Sequence, residues 1–341
     1  MEPTVQWIGS IDGHLALLDQ TLLPSEHRVL DIVDVEVLQD AIKRLAVRGA
    51  PAIGVAAGYG VVLGVRQAQP RDAAAFRATL GRVCTRLAAV RPTAVNLQWA
   101  VDRLRERGEQ ESTLEALLAE ARAIHAEDIE LCRKLGEHGA PLIGDGMTVL
   151  THCNAGRLAT SGDGTALAVM FAAWRAGTRF RVLADETRPL LQGARLTALE
   201  LSEEGIPVEV IPDSAAAGLM ARGEIDIVFT GADRVASNGD VANKVGTYGV
   251  ALAAQAHNVP MYVVVPSSTF DMSITDGSEI PIEDRNPNEV LEVAGTRIAA
   301  AGVGARNPAF DITPARLLSG LVTDRGVISP ITTEAIADTL G

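Results

Sequence analysis

The sequence predicts an α/β protein: a mainly helical N-terminal domain over residues 1–140, then a Rossmann-like, doubly wound parallel-sheet domain over residues 141–341. Three observations carry this. The chain has 341 residues, 47% of them hydrophobic, which is more than one small domain needs and enough for two cores. Up to about residue 140, apolar residues recur at three- and four-residue steps, the period of a buried helix face. Beyond it, short apolar runs alternate with helix-length segments, as strand–helix–strand units do.

The elements follow in order. A short β-like start runs roughly from Val5 to Val33. Asp34 then stands as an N-cap before Val37, Leu38, Ala41, Ile42 and Leu45. Phe76, Leu80, Val83, Leu87 and Val90 make a second helical stripe, and Leu114, Leu117, Leu118, Ala121, Ile124 and Ile129 a third. Arg48-Gly49-Ala50-Pro51-Ala52-Ile53-Gly54 reads as the C-cap of one helix and the proline-bearing start of the next. An Arg beside Gly also suits an anion held together with backbone N–H groups. Arg91-Pro92-Thr93, ahead of a helix expected near Val95, invites the same two readings. After Gly144-Asp145-Gly146, apolar runs at 147–150, 180–184, 208–211, 225–229 and 261–265 are expected to be strands. Segments 166–175, 189–204, 214–222 and 250–256 are expected to be the helices between them. Right-handed crossovers of this kind cover a parallel sheet on both faces.

Each strand exit carries polar, Gly-rich sequence. The first has Thr151-His152-Cys153-Asn154-Ala155-Gly156 and then Ser161-Gly162-Asp163-Gly164. The second has Asp185-Glu186-Thr187-Arg188-Pro189 and Gln192-Gly193, and the third Pro212-Asp213-Ser214. The fourth has Gly231-Ala232-Asp233-Arg234, Asn238-Gly239-Asp240 and Asn243-Lys244, and the fifth Pro266-Ser267-Ser268. Open α/β sheets bind ligands outside the carboxyl ends of their strands, so the site is expected there. Cys153 lies where the N–H groups of a following helix can lower a thiol pKa or hold a phosphate. Cys84 and Cys132 fall within helical stripes and read as small buried hydrophobes. Asp233 follows an apolar run and two small residues. It reads either as a general acid raised by apolar walls or as a turn Asp capping local N–H groups, and spacing leaves both open.

Other classes are disfavoured. A net charge of −13, from 30 basic and 43 acidic residues, argues against nucleic acid and anionic membranes as partners. No second Cys or His falls at ligand spacing from His152 and Cys153, whose side chains would face opposite ways on an extended chain, so no metal is expected. Neither GxGxxG nor GxxxxGK[ST] occurs, so no nucleotide cofactor is expected. Three cysteines without a CxxC pair suit a reducing cytosol. The first ten residues lack the pattern of a signal peptide, and no apolar run reaches the ~18 residues of a membrane span.

Together these motifs resemble the methylthioribose-1-phosphate isomerases of methionine salvage. The matching stretches are Trp7 with Leu18-Asp19-Gln20 and Leu23-Pro24, RGAPAIG at 48–54, RPTAVNLQWA at 91–100 and THCNAG at 151–156. They continue with ETRPLLQGARLTA at 186–198, GADRV at 231–235, NGDVANKVGT at 238–247 and NPAFDITP at 307–314, so the resemblance reaches about residue 330. It implies a cytoplasmic homodimer without cofactor that turns an aldose phosphate, 5-methylthioribose 1-phosphate, into the ketose 5-methylthioribulose 1-phosphate. Position by position, Cys153 and Asp233 match the family's catalytic pair. Arg48, Gly49, Ala50, Arg91, Gln192, Asn243 and Lys244 match its substrate-binding positions. The phosphate is then expected to be gripped by Arg48 and Arg91 from the helical half and by Lys244 from the sheet half. Because the anomeric oxygen carries phosphate, an acid has to help the ring oxygen leave C1. Hydrogen then moves from C2 to C1, either as a proton with Cys153 as base or as a hydride with Cys153 as a polar neighbour. Two alternatives accompany this expectation. One is a related isomerase of 5-deoxyribose 1-phosphate or ribose 1,5-bisphosphate. The other is a non-catalytic regulatory subunit like those of the translation-initiation guanine-exchange factor, which needs no facing thiol and carboxyl.

Overall fold

Alternating burial builds the first strands. In β1 (Val5–Ile8), Val5 and Trp7 turn inward while Gln6 and Ile8 face out. β1, β2 (His14–Leu18) and β3 (Val29–Ile32) form an antiparallel sheet in that order. Asp34 then caps α1 (Val35–Lys43), its carboxylate accepting the Glu36 N–H. α2 (Ala50–Ala68) is buried on every side from Ala52 to Val65. A helix apolar all round has to be surrounded, and α1, α3 (Ala73–Ala88), α4 (Val95–Gln110) and the first half of α5 (Leu114–Gly139) supply the neighbours in one continuous core. The computed structural model describes residues 2–91 and 95–341. Pro92, Thr93 and Ala94 of the Arg91 motif therefore lie outside the described residues. Among those described, no helix is long and apolar enough to cross a membrane.

The chain divides into two units: residues 1–132 with 157–164, and residues 133–156 with 165–341. The division thus falls within α5 rather than at residue 140. The Gly-rich stretch 157–164 joins the helical unit. There the Ser161 N–H donates to Asp128 Oδ2 at 2.6 Å, and Gln20 Nε2 donates to the Leu158 carbonyl at 2.7 Å.

The second unit is built on β4 (Thr148–Thr151), β5 (Arg181–Asp185), β6 (Val208–Ile211), β7 (Ile227–Thr230), β8 (Arg234–Ala236), β9 (Val241–Lys244) and β10 (Met261–Val264). It continues with β11 (Phe270–Asp271), β12 (Glu292–Val293), β13 (Thr296–Arg297), β14 (Phe310–Thr313), β15 (Gly320–Thr323) and β16 (Gly326–Ile328). The main sheet runs β16-β15-β10-β7-β4-β5-β6, parallel throughout except for the β15–β16 edge. Among the parallel strands this is the doubly wound order, with its reversal between β4 and β7. Crossover helices are α6 (Ala166–Arg175), α7 (Ala198–Glu203), α8 (Ala216–Ala221) and α9 (Thr247–Ala256); α10 (Asn288–Leu291) and α11 (Thr333–Leu340) follow. The helix expected over 189–204 is interrupted: a π-helical turn, Gly193–Thr197, precedes α7. The polar stretch after β7 is not a loop but part of a second sheet, β11-β8-β9-β14, with Asn243 and Lys244 on β9.

Candidate active site

Crossovers leave β4 and β7 in opposite directions, so their exits border a crevice. The two strands are neighbours, with Thr151 beside Phe229. Cys153 lies just past β4, and Asp233 just past β7. The loops touch: a Cβ on Gly231 would lie 2.9 Å from Ala155 Cβ and 3.1 Å from Thr165 Oγ1. The missing side chain at 231 is what lets the two exits close up.

Cys153 is not extended, as the sequence suggested, but left-handed, with φ 68°. A non-glycine residue there costs about 1–3 kcal/mol and persists only where its surroundings hold it. Two hydroxyls do so. The Cys153 N–H donates to Thr187 Oγ1 at 2.9 Å, and its carbonyl accepts from Thr197 Oγ1 at 2.6 Å. Thr187 and Leu191 are left-handed as well, at φ 61° and 58°. At the opening of α6, the N–H groups of Thr165 and Leu167 both go to the Ala155 carbonyl. Cys153 is half-buried, whereas Cys84 and Cys132 are fully buried. Burial pushes the Cys84 thiol up to about 11 and that of Cys132 up as well, which leaves both inert.

Beside the thiol sits a network that the sequence did not announce. His152 Nδ1 meets Asp185 Oδ2 at 2.9 Å, and Nε2 donates to the Val245 carbonyl at 2.9 Å. Burial alone would push the imidazole down. The hydrogen bond and charge of Asp185, with the Val245 carbonyl, outweigh it and hold His152 above its ordinary value. Burial likewise pushes the Asp185 carboxyl up, against the pull of His152, so the pair keeps a proton between them. Among the described residues, His152, Asp185 and Asp213 have ligand-type atoms within 4.8 Å of one another. Both ring nitrogens of His152 are already engaged, and Asp213 accepts the Thr187 and Arg188 N–H groups at 2.7 Å each, while Asp185 Oδ1 meets no hydrogen-bond partner among the described residues. The arrangement suits proton sharing and loop anchoring better than metal ligation.

The other expected residues fall as follows. Gln192 is buried just before the π-helical turn, and its Oε1 meets no hydrogen-bond donor among the described residues. A buried orphan acceptor of this kind calls for water or ligand. Asn243 donates to Thr247 Oγ1 at 2.9 Å, and Lys244 Nζ donates to the Ala309 carbonyl at 2.7 Å over the Phe310 ring. In the helical unit, Gly49 is the N-cap of α2 with φ 88°, not the C-cap of α1, which ended at Lys43. Arg48 directly precedes it, and Ala50 opens α2 ahead of Pro51. A Cβ on Gly49 would lie 2.5 Å from Ala159 Cα, so glycine seats this turn against stretch 157–164. Arg91 is half-buried at the edge of the described residues. The Asp233 backbone N–H donates to the Ala242 carbonyl, pinning the residue at the mouth of the β8–β9 hairpin.

Comparison with known proteins agrees with this architecture. The initiation factor 2 subunit family matches residues 46–330. The methylthioribose-1-phosphate isomerase of Syntrophotalea carbinolica is 52% identical, over 93% of this chain and 94% of its own. The 5-deoxyribose 1-phosphate isomerase of Moorella thermoacetica is 50% identical, over 96% and 95%. The crystal structure of 5-methylthioribose 1-phosphate isomerase from Pyrococcus horikoshii superposes with a TM-score of 0.91 at 40% identity, covering 99% of this chain and 96% of that one. This chain therefore belongs to the initiation factor 2 subunit family, among the members named methylthioribose-1-phosphate isomerases.

Proposed function

We propose that this protein converts 5-methylthioribose 1-phosphate into 5-methylthioribulose 1-phosphate, with Asp233 and Cys153 as the reacting groups. The observation that supports this most is the placing of a thiol and a carboxyl on the touching exits of neighbouring strands at the sheet's switch point. A glycosyl phosphate has no free anomeric hydroxyl. Its ring opens only when an acid protonates the departing ring oxygen, and Asp233 in its protonated form is that acid. Hydrogen then passes from C2 to C1. Turnover in deuterium oxide tests the proton route: deuterium at C1 marks a proton that passed through an exchanging base, and its loss in Cys153→Ser would tie that base to Cys153. Arg48 and Arg91 bind the phosphate by charge-assisted hydrogen bonds, with Gly49 and Ala50 offering backbone N–H groups at a helix start. Lys244 is a further cation for the phosphate, and Gln192 and Asn243 hold the sugar. The protein acts as a cytoplasmic homodimer and needs no cofactor.

The Moorella relative supports a second substrate, 5-deoxyribose 1-phosphate. Chemistry at C1 and C2 would be the same, and a methylthio group changes affinity by a few kcal/mol at most. A purely regulatory role is disfavoured by the paired thiol and carboxyl. The test is turnover of both sugar phosphates and of ribose 1,5-bisphosphate by the purified protein, repeated with Asp233→Asn. That variant should fold, bind product and have no measurable turnover. Wild-type turnover by Asp233→Asn would remove Asp233 from the mechanism.

A further inference from the structure

We propose that His152 is a positioning residue: its Nε2–H bond to the Val245 carbonyl fixes the Lys244-Val245-Gly246 turn against the exit of β4, holding Asn243 and Lys244 in register with Cys153. The register of the sheet places the group. Thr151 pairs with Ala184, so the next residues on the parallel strands, His152 and Asp185, stand side by side. Both are almost wholly buried. A carbonyl oxygen only accepts, so the hydrogen on the Val245 side sits on Nε2, and Nδ1 is left facing Asp185. The tautomer and the ring plane are thereby set from opposite edges.

Two further observations tie this ring to the turn. Gly246 lies close against the ring: a Cβ there would come within 2.6 Å of His152 Cε1 and 2.8 Å of Nε2. The peptide between Val245 and Gly246 is also held at both of its polar ends. Its carbonyl takes the His152 hydrogen, and its N–H donates to Asp311 Oδ2 at 2.7 Å, while Asp311 Oδ1 takes the Tyr248 N–H. Asn243 and Lys244 are continuous with that peptide, and Thr247 Oγ1 ties Asn243 Nδ2 to the Lys244 carbonyl. The charged groups acting on the ring are Asp185 on β5, Asp213 after β6 and Asp311 on β14. A buried apolar residue would fill the same space without aiming a donor at Val245, which separates positioning from mere packing.

The kinetic arm of the test rests on the proposed isomerase reading; a second arm does not. In His152→Gln the amide N–H takes the place of Nε2–H, whereas His152→Asn reaches only toward Asp185. His152→Gln should keep KM near the wild-type value. His152→Asn should raise KM by about tenfold, equivalent to about 1.4 kcal/mol, with a smaller change in kcat. Amide hydrogen exchange at Gly246, Thr247 and Tyr248 should quicken in the Asn variant and stay protected in the Gln variant. Equal KM and equal exchange in the two variants would overturn the proposal. If the wild type turns over no sugar phosphate, the functional reading fails, and the exchange result alone decides the role of His152. Should the His152 variants not fold, Asp185→Asn and Asp185→Ala serve instead. The Asn amide donates to Nδ1 and keeps Nε2–H on Val245, so exchange should stay slow; the Ala variant frees the ring, and exchange should quicken. Equal exchange in that pair would also overturn the proposal.

Discussion

Adding one methyl group at Gly193 should damage both stability and catalysis. Gly193 is buried at the start of the π-helical turn, directly over the end of β5. A Cβ there would lie 1.7 Å from the Asp185 carbonyl oxygen, 2.9 Å from its carbon and 3.0 Å from Thr187 Oγ1. The carbonyl would have to retreat by about 1.3 Å merely to reach 3.0 Å, and it belongs to a strand paired on both sides. No rotamer change relieves a clash with backbone, so the cost belongs at the upper end of overpacking, about 3 kcal/mol. The damage extends to the site. The Asp185 carbonyl accepts from Thr187 Oγ1, which in turn takes the Cys153 N–H. A displacement of about 1 Å there costs roughly 100-fold in rate. Urea unfolding reads the first effect, and kcat/KM of the folded variant on 5-methylthioribose 1-phosphate reads the second. Gly81→Ala is the control. Gly81 lies within α3 with nothing within 4 Å of its added Cβ, so the same change should stabilise by about 1 kcal/mol. A Gly193→Ala protein with wild-type stability and wild-type kcat/KM would refute the reasoning.

Two further outcomes are expected. Burial pushes the Asp128 carboxyl up to about 6 from 3.8, with the Ser161 N–H bond opposing, so the folded state holds that proton more tightly than the unfolded chain does. The stabilisation is complete below 3.8 and is lost as pH rises toward 6, about 3 kcal/mol in all. Asp128→Asn, which can still accept from Ser161, should flatten that fall and be more stable at pH 7; an unchanged slope in urea unfolding between pH 4 and 7 would contradict it. Among the thiols, Cys153→Ser should cut turnover severely, while Cys84→Ala and Cys132→Ala should keep near-normal rates with some loss of core stability. Equal losses from all three, with folding intact, would move the reactive thiol away from Cys153.

Local pattern was enough for much of this protein. Asp34 announced its helix because a capping carboxylate acts on N–H groups within its own turn. Four of the five apolar runs became β4, β5, β7 and β10 because a strand buried on both faces has to be apolar along its whole length, while the run at 208–211 became β6, a largely exposed edge strand. Cys153 and Asp233 were legible as strand-exit residues for the same reason. Partnerships across the sheet were not legible. Gly49 caps the helix after it rather than the one before, because its close neighbour is Ala159, far along the chain. The stretch after β7 became strands only because β11 and β14 arrive later to pair with it. Cys153 is left-handed because the hydroxyls of Thr187 and Thr197 converge on its peptide groups, and no local rule places them there. His152 and Asp185 meet because the register of two parallel strands brings them level. Sequence alone determined most of the elements and the strand ends where the candidate site residues lie, since helix and strand periodicity and capping act over a few residues. Tertiary structure decided how those ends face, bond and share protons, since register and close approach join residues that only folding brings together.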